Sequence, residues 1–168
     1  MSKGIGGHTR PYRGITNEWV TPRYITEALG KFDLDPCSMK NQPWYHADKN
    51  FTIEDDGLNK DWEQNRIWLN PPYGPDANYW LEKLAEHGNG IALIFARTET
   101  NMFFDHCWAK ATGMLFLKGR LYFHYPDGTK APANSGGPSV LIAYGKNNTQ
   151  ALKESGLRGA LITKMEVI

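Results

Sequence analysis

Arg66-Ile67-Trp68-Leu69-Asn70-Pro71-Pro72-Tyr73 is the stretch on which the reading of this chain turns. Arg66 to Leu69 is a short, mainly apolar run and predicts a strand. It delivers Asn70-Pro71-Pro72-Tyr73 to the carboxyl end of that strand, where α/β enzymes keep their chemistry. A side-chain amide, two consecutive carbonyls from residues that carry no N–H, and an aromatic ring form an acceptor-rich set suited to a planar amino group. The same four residues would also serve as a plain turn closing a strand. Their surroundings decide between the two.

Downstream, Asp76 to about His87 carries Trp80, Leu81 and Leu84 on one side and predicts an amphipathic helix. Ile91 to Phe95 is fully apolar, the pattern of a strand in the middle of a parallel sheet. Asn101 to Thr112 predicts a helix. Met114 to Leu117, Leu121 to Phe123 and Val140 to Tyr144 predict strands, with a Gly- and Pro-rich loop from Asp127 to Pro138. Upstream, Thr21-Pro22 reads as an N-cap and first helical residue and Gly30 as the stop, giving a helix over about 22–29. Phe32 to Pro36 reads as a strand ended by proline. Cys37 to Asn65 lacks periodicity but is dense in Trp44, Tyr45, His46, Phe51, Asp55, Asp56 and Trp62, a composition that suits a binding surface. Alternating strands and helices followed by a run of strands predict an α/β fold with a mostly parallel sheet, an antiparallel edge and three αβα layers. Residues 1–16, rich in Gly and without apolar periodicity, predict a flexible arm, and 17–168 a single domain.

Composition narrows the class. The 168 residues are 40% hydrophobic and 22% charged, an ordinary globular balance. Two cysteines, Cys37 and Cys107, no signal peptide and no apolar run near membrane length predict a soluble cytoplasmic protein without disulfides. Net charge is +1, but unevenly spread. Residues 1–96 hold 10 Lys and Arg against 13 Asp and Glu, whereas 97–168 hold 9 against 5. The basic second half is compatible with a phosphate-facing surface and equally with solvated faces.

Two further clusters stand near the tetrapeptide. Asp35-Pro36-Cys37-Ser38 ends the first strand, so its carboxylate belongs to the same sheet edge as Asn70. Asp55-Asp56-Gly57-Leu58 comes just before the Asn70 strand. Both also have the composition of simple turns. Cys37, His46, His106 and Cys107 lack paired ligand spacing, so no metal site is expected. Trp19, Trp44 and Tyr45 neighbour the candidate pocket, and Arg97 and Arg120 read either as phosphate contacts or as ion pairs at the edge of the core.

With these residues in order, the chain resembles the phage and prophage DNA N6-adenine methyltransferases, a Dam-like family. The similarity rests on Trp19-Val20-Thr21-Pro22, Asp35-Pro36-Cys37-Ser38, Asp55-Asp56-Gly57-Leu58 with Trp62, and Asn70-Pro71-Pro72-Tyr73-Gly74. Ala96-Arg97-Thr98-Glu99-Thr100, Lys118-Gly119-Arg120-Leu121-Tyr122-Phe123 and Pro138-Ser139-Val140 extend it over about residues 17–145. The resemblance implies a Rossmann-like class I methyltransferase sheet, S-adenosylmethionine as cofactor and duplex DNA as partner. It implies that Asn70, Pro71, Pro72 and Tyr73 act on the N6 amine of an adenine flipped out of the duplex. Trp19, Thr21, Pro22, Asp35, Pro36 and Cys37 would line the cofactor pocket, with Asp55 or Asp56 on the adenosine, and Arg97, Lys118 and Arg120 on the nucleic acid. Loops 39–54 and 118–137 would read sequence. The tetrapeptide alone is shared with N-methyltransferases of RNA and of protein glutamine, and a catalytically silent DNA-binding module of the same fold is a further alternative. Two features depart from larger methyltransferases: no glycine follows the first strand, and the interval from Asp35 to Asn70 is too short for two complete βα units.

Overall fold

The computed structural model describes residues 19–168; the predicted N-terminal arm lies outside the described residues. The elements follow in the order α1 (Arg23–Leu29), β1 (Phe32–Asp35), β2 (Ala47–Asn50), β3 (Ile67–Leu69), α2 (Ala77–His87), β4 (Gly90–Phe95), α3 (Asn101–Phe103), β5 (Gly113–Leu117), β6 (Ser139–Tyr144), α4 (Lys146–Glu154) and β7 (Gly159–Ile162). A π-helical turn, Phe104–Trp108, extends α3. One mixed sheet holds all seven strands in the order β2-β1-β3-β4-β6-β5-β7. The β1–β2, β1–β3 and β3–β4 ladders are parallel; β4–β6, β5–β6 and β5–β7 are antiparallel.

The antiparallel part is therefore half of the sheet rather than an edge. β4, expected in the middle of a parallel sheet, stands on the boundary, parallel to β3 and antiparallel to β6. Its residues are apolar because both faces are covered, and that holds whichever way the neighbours run.

Alternate residues of the strands feed two cores. Ile67 and Leu69 face Leu81 and Leu84 of α2 together with Phe103 and Cys107. Trp68 faces the other way, toward Ile25 and Leu29 of α1 and Leu152 of α4. β2 is polar, Ala-Asp-Lys-Asn, and exists by pairing with β1. No α-helix links β2 to β3; a short 3₁₀ turn, Ile53–Asp55, and the buried Trp62 stand in its place, which is how the short interval between Asp35 and Asn70 is accommodated.

Leu121 to Phe123 does not form a strand. Both end residues are buried, but their carbonyls accept from Ser135 N (2.7 Å) and Ala131 N (2.9 Å) inside an irregular loop, and only His124 makes isolated bridges, to Val20 and Lys130. Thr21 does not cap α1; Pro22 holds that position and the Thr21 hydroxyl is used elsewhere.

Arg66 ties together the amino ends of the strands. Its guanidinium donates to Asn148 Oδ1 (2.7 Å), Lys31 O (2.7 Å) and Leu29 O (2.9 Å) and lies 4.2 Å from the centroid of Phe32. Asn148 in turn donates to Asn89 Oδ1 and Tyr144 O. An ammonium cannot reproduce this fork, so Arg66→Lys is expected to cost about 2 kcal/mol. The check is a lower urea midpoint with an unchanged m-value.

Candidate active site

β1 and β3 are adjacent and parallel, yet the chain leaves β1 for β2 on one side before returning to β3 on the other. The strand order thus reverses between β1 and β3, and ligands of open α/β sheets bind outside the carboxyl ends at such a reversal. A cavity of about 280 Å³ opens there, lined by residues that follow both strands.

Asn70 lines it. Its Nδ2 donates to the buried Thr21 hydroxyl at 3.2 Å, and its backbone carbonyl accepts from the Cys37 thiol at 3.3 Å. The loops after β1 and β3 and the segment before α1 are thereby locked to one another. With Nδ2 spent on Thr21, the amide orientation is set, and Asn70 Oδ1 is buried without a hydrogen-bond partner among the described residues. A buried acceptor is costly to leave unpaired, so it marks a place for an N–H or O–H donor. Tyr73 also lines the cavity, 44% exposed, with its ring stacked on Phe95 at 4.5 Å and 13°.

Asp35, 4% exposed, accepts from Cys37 N at 3.1 Å, and burial pushes its carboxyl up to about 7. Burial and the neighbouring Asp35 push the Cys37 thiol up as well, which keeps it protonated and unsuited to nucleophilic work. Asp56 joins the lining from a left-handed backbone position (φ 53°) and accepts from Asn59 Nδ2 at 2.8 Å. Beside it, Gly57 packs directly against the turn after β1: a Cβ there would overlap the Pro36 carbonyl oxygen. The Gly57 carbonyl accepts from the buried Trp62 indole at 2.8 Å, fixing this floor to the core.

Of the residues expected on sequence grounds, Asn70, Pro71, Pro72, Tyr73, Trp19, Thr21, Asp35, Pro36, Cys37 and Asp56 all line this one cavity. Pro22 and Asp55 do not. Pro22 is buried at the start of α1, and the Asp55 carboxylate is occupied by Thr52 N (2.8 Å) and Thr52 Oγ1 (3.1 Å) in a capping box that holds the 3₁₀ turn. His46, Trp68 and Ile53 line the cavity without having been singled out as ligands; the run of aromatic and acidic residues between 37 and 65 was the available signal for His46 and Ile53, whereas Trp68 reads as core.

Arg97 and Lys118 follow the carboxyl ends of β4 and β5, strands that run in the same direction as β3. Arg97, Lys118 and Arg120 are exposed. Among the described residues none of them forms an ion pair, though Arg120 Nη1 donates to Ser135 O at 3.3 Å. The loops 39–54 and 118–137 meet beside the cavity, where the Trp44 and His124 rings lie 5.0 Å apart, edge to face, and the cavity residue Val20 exchanges backbone hydrogen bonds of 2.9 and 3.0 Å with His124. Among the described residues no cluster of three metal-ligating side chains occurs, and no helix is long and apolar enough to cross a membrane.

No curated protein and no solved structure matches the chain. The family model for DNA N-6-adenine-methyltransferase (Dam) matches residues 10–156, which take in every element that lines the cavity. The protein belongs to that family of DNA-modifying transferases.

Proposed function

We propose that this protein transfers a methyl group from S-adenosylmethionine to the N6 amine of an adenine flipped out of duplex DNA, on a Rossmann-like, three-layer sheet. The observation that carries the reading is the buried Asn70 Oδ1 at the β1/β3 reversal, held there by Thr21 and without a partner among the described residues. The lining fits the cofactor: Asp35 and Asp56 offer carboxylates to hydroxyl and ammonium groups, and Trp19, Ile53 and Trp80 offer apolar surface to a flat base. When bound, S-adenosylmethionine supplies an electrophilic methyl.

The protein's task is positioning and charge stabilisation. An exocyclic amine is a poor nucleophile because its lone pair is delocalised into the ring. Asn70 Oδ1 and the Pro71 carbonyl would accept its two N–H groups, hold the nitrogen and offset the positive charge that grows on it as the N–C bond forms. Tyr73, backed by Phe95, would stack on the extruded base. Arg97, Lys118 and Arg120, on or near the same sheet edge, would meet phosphates. The test is transfer of labelled methyl from S-adenosylmethionine to unmethylated duplex DNA, followed by nucleoside analysis. Label in N6-methyladenine is expected; label in another nucleoside, or none despite cofactor binding, overturns the reading.

Asp35 adds a pH signature. Its carboxyl is raised to about 7, above the ordinary value, so its contribution to folding stability is full below the ordinary carboxylate range and lost as pH rises through about 7. A ligand that donates hydrogen bonds to Asp35 binds the ionised form and must displace a proton below that value. Affinity for S-adenosylhomocysteine should therefore rise about tenfold from about pH 6 to about pH 8, measured calorimetrically, and a flat profile would remove Asp35 from the binding role.

A further inference from the structure

The ring given to the extruded base has little of its own to hold it. Tyr73 is 44% exposed, and among the described residues no hydrogen bond anchors its hydroxyl. Pro71 and Pro72 stiffen the backbone before it and leave its χ angles free. Gly74 after it has φ 138° and open space around it. What fixes the plane of the ring is Phe95, stacked on it at 4.5 Å and 13°.

Register brings the two rings together. β3 pairs with β4 in parallel, Leu69 beside Ala92, so Tyr73 beyond the end of β3 meets Phe95 at the end of β4. Ile91 and Leu93 of β4 join the α1-side core, and Phe95 follows them on the same face by strand alternation. Leu121 and Phe123, from the loop between β5 and β6, belong to that core too.

That loop returns to the sheet beside Phe95. Ser135 N donates to Leu121 O at 2.7 Å, Ser135 Oγ to Gly137 O at 3.0 Å, and Ala96 N to Pro138 O at 2.9 Å. Residues 135–138 are thereby clamped between the outgoing limb of the loop and the residue after Phe95. Gly137 lies against the Phe95 ring: a Cβ there would stand 3.1 Å from Cδ1 and 3.3 Å from Cγ. Its φ is outside the left-handed region, so the ring, and not backbone strain, is what a side chain at 137 would meet. The same loop carries Lys118 and Arg120, and Arg120 Nη1 donates to Ser135 O at 3.3 Å. Contacts thus run from an exposed cation through Ser135, Gly137 and Phe95 to the Tyr73 ring.

Building on the proposed function, we infer that Phe95 is a positioning residue for methyl transfer: it sets the plane on which Tyr73 receives the base, and Gly137 seats it. Phe95 acts through Tyr73 and not on the base itself. The loop that would meet phosphates is also the one that braces the base platform.

The experiment is a double-mutant cycle on single-turnover methyl transfer to duplex DNA, with the wild type, Phe95→Leu, Tyr73→Ala and the pair. Leucine keeps the apolar fill and removes the flat face. Each single change should slow transfer about tenfold, the scale of one base–aromatic stack, and the pair should fall within about twofold of Tyr73→Ala alone. Phe95→Tyr, which restores a flat ring, should recover the rate to within about threefold. S-adenosylhomocysteine affinity should be the same throughout, and a parallel loss of it would mark a general collapse of the site and overturn the inference. Additive losses, about a hundredfold in the pair, overturn it and leave the proposed function intact. A wild-type rate in Phe95→Leu or in Tyr73→Ala overturns it as well. Absence of transfer by the wild type overturns the proposed function, and the inference with it. Should Phe95→Leu not fold, Gly137→Val takes its place in the cycle: it should slow transfer in the wild type and not in Tyr73→Ala, and equal slowing in both overturns the inference.

Discussion

Asn70→Ala should lower the rate of methyl transfer by about 10²- to 10³-fold, the loss typical of removing one preorganised contact to charge that develops in the transition state. Its Oδ1 is buried, without a partner among the described residues, and held in orientation by the 3.2 Å bond from Nδ2 to Thr21, so no reorganisation is required when an amine arrives. The cofactor should still bind, because the Asp35 and Asp56 side of the cavity does not depend on the Asn70 side chain. Single-turnover transfer of labelled methyl, measured beside S-adenosylhomocysteine affinity, separates the two effects. Near wild-type turnover with the cofactor bound would show that Asn70 is not the group that holds the amine. Thr21→Val should give a smaller loss of the same kind, since it releases the amide without removing it.

Gly57→Ala should be the most damaging glycine-to-alanine change among the described residues. The new Cβ would overlap the Pro36 carbonyl oxygen and lie 2.9 Å from the Pro36 carbonyl carbon and 3.3 Å from Phe51 Cβ. The offending atoms are backbone, so neither side can give way by changing a rotamer. Trp62 holds the Gly57 carbonyl at 2.8 Å, and the Asp35 to Ser38 turn is bonded to Phe51 through Ser38 N at 2.8 Å, so the two segments cannot simply part. The expected cost is about 3 kcal/mol, or a fall in Tm of about 6–12 °C, with weaker cofactor binding because Asp35 and Asp56 are displaced together. Calorimetric melting with and without S-adenosylhomocysteine checks both parts. A change in Tm of a degree or less would mean that the floor of the cavity yields and does not position the acids.

Comparison of particular elements shows how far local sequence carries. β3 and the Asn70 turn were legible because three apolar residues followed by two prolines leave little choice of conformation. α2 was legible because Trp80, Leu81 and Leu84 share a helical face. β2 was missed: Ala47-Asp48-Lys49-Asn50 has no apolar alternation, and its conformation comes from β1. Leu121 and Phe123 misled in the opposite sense. They are apolar because the α1 side of the sheet covers them, and burial can be had in a loop as well as in a strand. α4 and β7 carried too weak a pattern to be recognised, since β7 is a half-exposed strand that depends on β5.

The site divides in the same way. Asn70-Pro71-Pro72-Tyr73, Asp35 and Asp56 were readable as chemistry because rare side chains sit at predictable strand ends, and the ordered set of motifs pointed to the family that the matched model shows. Sequence alone therefore determined the family, the loop that follows β3 and the acid that ends β1, all of which rest on local conformation and residue type. Tertiary structure decided which acid of the Asp55-Asp56 pair faces the cavity, because a capping box consumes Asp55. It decided that Thr21 orients Asn70 instead of capping a helix, and that Gly57 packs against the Pro36 carbonyl beneath the turn after β1. It also left buried nitrogens of His46 and Trp68 without a partner among the described residues. Each of these depends on which atoms from distant segments meet, and a hydrogen bond across 49 residues, such as that from Asn70 to Thr21, leaves no periodicity for a sequence to display.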